Sequence, residues 1–266
     1  MARLLWIAVS AAVLVTPGAA QSRRQSFDVS SGCAGWDWSR PSYCEDREAT
    51  ISAGLIDVDA SPNGGIRILG SDRPDVRVRA RVQSVGNTLD DARRLASGVR
   101  IETAGGRIRS EGPDRTGPDQ WWAVSYVLEV PRVSQLTLTT HNGGIMIDDF
   151  RGTAELHTHN GGVSLKSVGG DIRGETTNGG LTIDLDGDRW DGAGLDVQTQ
   201  NGGVRMAIPE AYSAQLEIGT VHGRLRIGVP LTVQGRLDRY LTATLGAGGA
   251  RVRATTTNGG VTITRK

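Results

Sequence analysis

The sequence predicts an all-β fold, a β-solenoid built from Asn-Gly-Gly rungs and covered at its N-terminal end by one short helix. Three observations carry this prediction. An Asn-Gly-Gly triplet recurs along the chain, a hydroxyl residue stands two positions before each triplet, and apolar residues alternate after it. Repetition with an apolar residue at every second position is typical of half-buried strands that stack on one another.

The first twenty residues have the layout of a secretory signal peptide. Basic Arg3 precedes an apolar run from Leu4 to Val15, and a small-residue stretch ends at Ala20. We therefore assign residues 1–20 to a signal peptide and expect export to the periplasm, the cell surface or the extracellular space. No other segment approaches the ~18 consecutive apolar residues of a spanning helix, so we expect no transmembrane segment after cleavage.

Residues 21–50 are polar and read as an N-terminal extension. Cys33 and Cys44 are the only thiols of the chain, and export would bring them into an oxidising compartment. We expect a local disulfide between them. Two cysteines with no histidine nearby do not make a zinc site, and we expect no cofactor.

The charge balance argues against a nucleic-acid partner. The formal net charge of +1 falls to zero when Arg3, the one charged residue of the leader, is removed. A chain without net charge has no general attraction for polyanions.

The repeats fill the predicted solenoid domain, residues 51–266. The triplets begin at Asn63, Asn142, Asn160, Asn178, Asn201 and Asn258, with His222-Gly223 as a degenerate copy. The preceding hydroxyls are Ser61, Thr140, Thr158, Thr176, Thr199, Thr220 and Thr256. Because Asn and Gly tolerate positive φ, we interpret the triplets as tight structural turns. An antiparallel meander is the alternative, but matched columns favour rungs stacked ~4.8 Å apart.

The region before the regular repeats predicts two strands and a helix. Residues 76–82 form a strand with Arg77, Arg79 and Arg81 on one face, and residues 122–130 form another. Between them, Thr88 and Asp91 make a capping box, and the residues that share an apolar helix face are Leu89, Ala92, Leu95 and Ala96. An open solenoid end needs covering, so we expect the helix to cap it. The arginines fit an edge strand protected against aggregation, or a site for anionic sugars or lipids.

These residues together resemble a known family. A strand ending at Val130-Pro131, then Leu136-Thr-Leu138-Thr-Thr-His-Asn142-Gly-Gly-Ile145 and further Thr-x-Asn-Gly-Gly rungs, is similar to the bacterial putative-adhesin families of unknown function, which are related to head GIN domains. The resemblance covers residues 51–266. It implies a β-solenoid at the cell envelope or outside the cell, and it brings no catalytic residues. The family commonly has Asn-Gly-Asp where this chain has Asn-Gly-Gly.

Several catalytic signatures are missing from the sequence. We find no Gly-x-Ser-x-Gly elbow, phosphate-binding loop, His-Glu-x-x-His motif or dinucleotide fingerprint. We therefore predict a protein that is not an enzyme. Glycosidases need only two well-placed carboxylates, so one enzymatic alternative stays open.

That alternative is a carbohydrate-active β-helix enzyme. It would use an acidic cluster around an aromatic residue, in a repeat unit that is longer than its neighbours. The cluster comprises Asp184, Asp186, Asp188, Trp190 and Asp191. Such a set could hold a sugar or calcium, but a solvated turn rich in Asp is the simpler interpretation.

Three histidines form a second candidate site. His141 and His159 occupy the same position in adjacent units, and His157 shares a strand face with His159. Stacked rungs would bring the imidazoles within reach of one metal ion. A polar column before a turn is the simpler interpretation.

Taken together, these patterns predict an exported, non-catalytic scaffold or adhesin-like binding domain of the bacterial cell envelope. Its flat, ladder-lined faces would recognise an envelope protein or a surface polymer by extended polar contact.

Overall fold

The computed structural model describes residues 40–114, 117, 119–228 and 239–266. Across these residues the chain forms twenty strands and one α-helix, which confirms the all-β prediction. The proposed signal peptide and Cys33 lie outside the described residues, so signal cleavage and the Cys33–Cys44 disulfide remain predictions.

The N-terminal half of the chain holds seven strands and the helix. The strands are β1 (Ser42–Ser52), β2 (Leu55–Asp59), β3 (Ile66–Ser71), β4 (Asp75–Val85), β5 (Arg100–Glu102), β6 (Arg107–Glu111) and β7 (Trp121–Pro131). Helix α1 (Leu89–Gly98) lies between β4 and β5 in sequence. No helix among the described residues has the length and apolarity needed to cross a bilayer.

The regular part follows as short strands in pairs. They are β8 (Gln135–Thr140), β9 (Ile145–Asp148), β10 (Thr153–Asn160), β11 (Val163–Lys166), β12 (Asp171–Asn178), β13 (Leu181–Asp184), β14 (Gly194–Asn201), β15 (Val204–Ile208), β16 (Ala214–His222), β17 (Leu225–Ile227), β18 (Tyr240–Leu245), β19 (Arg251–Asn258) and β20 (Val261–Arg265).

The strands form two ten-stranded sheets. The first sheet has the order β1-β4-β7-β3-β9-β11-β13-β15-β20-β17, and the second has the order β18-β16-β19-β14-β12-β10-β8-β2-β6-β5. We call two consecutive strands joined by an Asn-Gly turn a rung, since one strand lies in each sheet. Neighbouring rungs pair in parallel, and antiparallel strands flank them at both ends. The fold is therefore solenoid-like.

The core lies between the two sheets and is built from small aliphatic side chains. On the first sheet, Ile145, Val163, Leu181 and Val204 lie side by side in register, and all four are buried. Each buried aliphatic side chain contributes about 1.5–3 kcal/mol relative to exposure. Many small contributions replace the few large aromatic ones of a conventional core.

The order of the rungs in space differs from their order in sequence. We expected each unit to lie on the preceding one, but the rung of Asn258 lies between the rung of Asn201 and that of His222. The complete triplet at Asn258 therefore lies inside the stack of rungs, and the degenerate His222-Gly223-Arg224 lies at the end of the stack. An outer rung has a neighbour rung on one side only, so it tolerates a weaker motif.

Helix α1 packs against β1, β4 and β7, the antiparallel strands that lie beyond β3 at the end of the first sheet. The capping box is confirmed: the Thr88 hydroxyl accepts from the Asp91 amide, and the Asp91 carboxylate accepts from the Thr88 amide, both at 3.1 Å. Ala92, Leu95 and Ala96 are buried as predicted. Leu89 is 44% exposed, so the predicted face is wrong at this residue, which begins the helix.

Strand β1 changes two sequence-based interpretations. The predicted boundary at residue 50 falls inside β1, which pairs along its whole length with β4. The arginine strand β4 is consequently an inner strand between β1 and β7 and not an edge. Its arginines meet carboxylates: Arg77 and Arg79 pair with Glu48 at 3.0 and 3.5 Å, and Arg81, only 2% exposed, pairs with Asp46 at 3.0 Å.

Candidate functional site

A ladder of six asparagines runs along the turn between the two sheets. In each step the side-chain amide nitrogen of one Asn donates to the side-chain oxygen of the Asn in the neighbouring rung, at 2.8–2.9 Å. The members, in spatial order, are Asn63, Asn142, Asn160, Asn178, Asn201 and Asn258. The ladder holds the rungs in one register, which fixes where every outward side chain lies.

A row of buried threonines runs beside the ladder. Each hydroxyl donates at 2.7–2.8 Å to the carbonyl of the first Gly in the adjacent rung, as Thr158 does to Gly143 and Thr176 to Gly161. The same bond recurs at Thr140, Thr199, Thr220 and Thr256. The Thr side chains therefore lie in one line, as stacked rungs require.

The first rung departs from this pattern. Asp59 pairs with Thr139 while Asn63 pairs with Asn142, so the first rung carries one more residue between these points than its neighbour. Buried Ala60 follows Asp59 into the position that faces Thr140, and Ser61 falls outside the hydroxyl row. The predicted column is therefore wrong at Ser61.

The physical reason we gave for Asn-Gly-Gly is also wrong. None of the described triplets has a residue in the left-handed region. Instead, the backbones approach so closely that a Cβ on Gly161 would lie 1.9 Å from the Gly143 carbonyl oxygen. Positive φ occurs at the opposite turn, at Asp149 and Ser167.

The second Gly of each triplet has more room. A Cβ on Gly162 or Gly180 would lie 3.1–3.2 Å from the nearest carbonyl oxygen. A small local adjustment would therefore admit a side chain. This difference explains why the degenerate copy keeps Gly223 and carries Arg224 at the following position.

The outer face of the second sheet carries a shallow groove of about 640 Å³. Two rows of outward side chains run beside each other across the rungs on this face. The polar row consists of Thr139, His157, Glu175, Gln198, Thr255 and Gly219. The charged row consists of Asp57, Thr137, Glu155, Arg173, Asp196, Arg253 and Glu217. The groove follows the polar row, and a smaller depression of about 220 Å³ lies between the rows over Gly174.

The side chains of the charged row pair largely with other side chains of the protein. Arg253 donates to Asp196 at 2.5 Å, and Arg251, beside the row, donates to Glu217 at 2.7 Å. That hydrogen bond raises the pKa of Arg251. Opposite charges on neighbouring strands stabilise the sheet, so this row is chiefly structural.

The groove retains free hydrogen-bonding groups, both in the polar row and at the next outward position of each strand. Within the described residues, the side chains along the groove that make no hydrogen bond to another protein group include Thr177, Gln198, Gln200, Thr255 and Thr257. Their amide and hydroxyl groups include both hydrogen-bond donors and hydrogen-bond acceptors. The groove can therefore form many hydrogen bonds to a polar ligand without breaking internal ones.

Tyr240 lies at one end of the groove. It is 59% exposed and is the one aromatic among the large hydrophobic side chains exposed in the described residues. Tyr240 pairs with Gly219, and a Cβ on Gly219 would lie 2.2 Å from the Tyr240 ring. The absence of a side chain at Gly219 thus lets the ring lie against the sheet.

The predicted histidine column is present. The rings of His141 and His159 stack with centroids 4.7 Å apart and planes within 8° of parallel. His157 instead contacts Glu155 at 3.1 Å and Glu175 at 3.3 Å. Across the described part of the chain, no three His, Cys, Asp or Glu side chains are arranged to hold a metal ion.

The structure separates the members of the acidic cluster. Trp190 is 4% exposed and its indole nitrogen donates to the Gly170 carbonyl at 3.0 Å, so its ring belongs to the core. Lys266 contacts Asp184 at 2.9 Å, and the hydrogen bond raises the pKa of Lys266. Asp186, Asp188 and Asp191 are exposed. The cluster is therefore a polar turn without an available aromatic ring.

Sequence reasoning did not identify the groove. The residues of its polar row stand at one fixed position in the repeat, three residues before the Asn, as His157, Glu175, Gln198 and Thr255 show. Comparing the outward positions across the repeats would have placed these residues in one row. Tyr240 lies outside the repeats, and no pattern in the sequence connects it to Gly219.

Several solved structures are similar to the chain over most of its length. A putative cell adhesion protein from Clostridium sporogenes is 9% identical, with 84% of this chain and all of that chain covered and a TM-score of 0.41. A putative adhesin from Bacteroides fragilis shows the same identity and TM-score, with 84% and 97% covered. A protein from Parabacteroides distasonis described as a putative lipid binding protein is 11% identical, with 83% and 96% covered and a TM-score of 0.27. No curated protein matches the sequence.

The sequence profile of one family matches residues 57–264. This range contains all six Asn-Gly-Gly triplets, the capping helix and the Tyr240 strand. The match extends over most of the chain, and the protein therefore belongs to the Toastrack DUF4097 family.

Proposed function

We propose that the protein is an exported, non-catalytic binding module of the bacterial cell envelope, a β-solenoid whose Asn-Gly-Gly rungs present a recognition face. The observation that carries this proposal is the groove on the second sheet, where a row of unpaired polar groups is held by a hydrogen-bonded scaffold. Its partner is an envelope protein or a surface polymer.

The scaffold suits binding better than catalysis. Catalysis needs groups with matched pKa values around one reacting position, whereas the groove repeats similar polar groups from rung to rung. Among the described residues, Glu175 is the one carboxylate that lines the groove, and Glu175 contacts His157. The acidic cluster lacks an exposed ring, so the carbohydrate-active alternative gains no support from the geometry.

Recoding the groove tests the proposal. Thr177, Gln198 and Thr255 are replaced together by Glu in the full-length chain, which places three like charges along the groove. The matched control replaces Ser164, Thr182 and Thr262, which lie on the outer face of the first sheet, in the same way. Retention on the cell envelope and recovery of co-purifying material are measured after circular dichroism verifies folding.

We expect the groove variant to lose retention and the control to keep it, because repulsion and altered hydrogen bonding affect one face only. Equal retention of the two variants would show that the second sheet is not the recognition face and would overturn the proposal.

A further inference from the structure

We infer that the groove binds a neutral, linear polysaccharide, with Tyr240 as the stacking platform for one sugar ring. This inference rests on the proposed function and specifies its ligand class. Three independent features of the groove support it: its charge, its hydrogen-bonding groups and its exposed aromatic ring.

The charge of the groove favours a neutral ligand. Among the described residues that line it, the acidic and basic side chains are Glu175 and Arg253, which have opposite formal charges. Arg253 is already engaged by Asp196. An anionic polymer would need unpaired cations, and the groove offers none in the described residues.

The hydrogen-bonding groups suit hydroxyl groups, which both donate and accept. Gln198 and Gln200 supply amide donors and acceptors, and Thr177 and Thr255 supply hydroxyls. A sugar hydroxyl pairs with either kind of group, so the groove accommodates it in several orientations. A peptide backbone would instead pair most readily with an open strand edge, and the groove lies on the face of the sheet.

The spacing of the rungs suits a repeating ligand. Adjacent strands lie ~4.8 Å apart, which is close to the length of one hexopyranose unit. A linear chain that runs along the polar row would therefore present successive sugars to successive rungs. Because the Asn ladder holds the rungs in one register, the spacing of the rungs matches that of the sugar units along the groove.

The aromatic ring supplies apolar contact. The face of a tyrosine ring carries partial negative charge, and the C–H groups on one face of a pyranose carry partial positive charge. Tyr240 is exposed at the end of the groove, and Gly219 leaves space for its ring against the sheet. The pair thus forms a platform on which a sugar ring can stack beside the polar row.

The experiment titrates the full-length chain with defined hexasaccharides by isothermal calorimetry. The probes are cellohexaose, laminarihexaose and mannohexaose, with anionic hexagalacturonate for comparison. We expect saturable binding of at least one neutral probe and weaker binding of hexagalacturonate. Failure of all three neutral probes to bind, or tighter binding of hexagalacturonate, would overturn the inference.

Variants localise the site. Tyr240→Ala should weaken binding at least about tenfold, a loss of 1.4 kcal/mol, while Tyr240→Phe should retain it. Gly219→Ala should weaken binding with the Tyr240 ring still present, because the added methyl group displaces that ring. Thr182→Ala on the first sheet should change nothing. Binding unaffected by Tyr240→Ala would place the sugar elsewhere and contradict the inference.

The two proposals fail separately. If no hexasaccharide binds but the recoded groove still loses envelope retention, the partner is not a neutral glycan and the binding module stands. If recoding leaves retention unchanged, the recognition face itself is wrong.

Discussion

Gly179 lies directly against Gly161 of the neighbouring rung: a Cβ on Gly179 would be 2.0 Å from the Gly161 carbonyl oxygen. The contact is between backbones, so no side chain can rotate away to relieve it. Close backbone approach, and not a left-handed conformation, therefore sets the requirement for glycine at the first position of the triplet.

Alanine substitutions should separate the two glycines of one triplet. Gly179→Ala should destabilise the protein by at least about 3 kcal/mol, since overpacking against a rigid backbone lies at the upper end of such costs. Gly180→Ala, whose methyl group would lie 3.2 Å from the Gly203 carbonyl, should cost about 1 kcal/mol or less. Urea unfolding of the two variants measures the difference, and equal losses would refute the distinction.

The threonine row should contribute to stability through its hydroxyls. Thr176→Val keeps the shape of the side chain but removes the hydrogen bond to the Gly161 carbonyl. We expect a loss of about 1–2 kcal/mol, because a buried acceptor loses its donor. Thr182→Val, on the outer face of the first sheet, is the control and should change stability by less than about 0.5 kcal/mol. Thermal unfolding of both variants checks this, and similar melting temperatures would argue against the role of the hydroxyl.

The asparagine ladder should be extendable by one step. His222 pairs in register with Asn258 at the end of the ladder. In His222→Asn, the new amide could donate to Asn258, and we expect a gain of about 0.5–1 kcal/mol relative to His222→Ala. The comparison with Ala removes the effect of losing the imidazole. Chemical denaturation that ranks Ala at or above Asn would contradict the prediction.

Two buried tyrosines should make the fold sensitive to alkali. Burial raises the pKa of Tyr126 and of Tyr212 from 10.0 to about 12. The unfolded chain therefore releases these protons first, so stability is fully present below pH 10 and falls as pH rises from 10 to 12, by about 1.4 kcal/mol per pH unit for each tyrosine.

Unfolding free energies measured across this pH range test the assignment. Tyr126→Phe should reduce the slope by about half, since one of the two groups no longer titrates. Thr182→Val, on the outer face of the first sheet, removes no titrating group and should leave the slope unchanged. A slope that Tyr126→Phe does not reduce would show that this tyrosine does not cause the loss.

The spacing of the Thr and Asn residues along the sequence predicted that they stack in columns, because each column depends on local repeats. Thr158 and Thr176 occupy equivalent positions in the repeat, and they lie on adjacent strands in register. The capping box at Thr88 is likewise a local pattern. In contrast, Arg81 was assigned to an edge because its partner Asp46 lies on β1, and distant pairing leaves no periodic signal.

The spatial order of the rungs could not be predicted from the repeats. Repeats alone show which segments are equivalent, but they do not show which segment lies on which. The weakened triplet at His222 was nevertheless a usable signal, because an incomplete motif fits best where the stack ends. Tyr240 and Gly219 meet through antiparallel pairing of β16 and β18, which the repeat does not encode.

The ribosome makes β16 and β17 before β19 and β20. In the folded protein, however, β19 lies between β14 and β16, and β20 lies between β15 and β17. Until β19 and β20 are made, β14 and β15 expose unpaired backbone that an equivalent segment of another copy fits equally well. Exchange of this segment between newly made copies is therefore the misassembly that the topology favours.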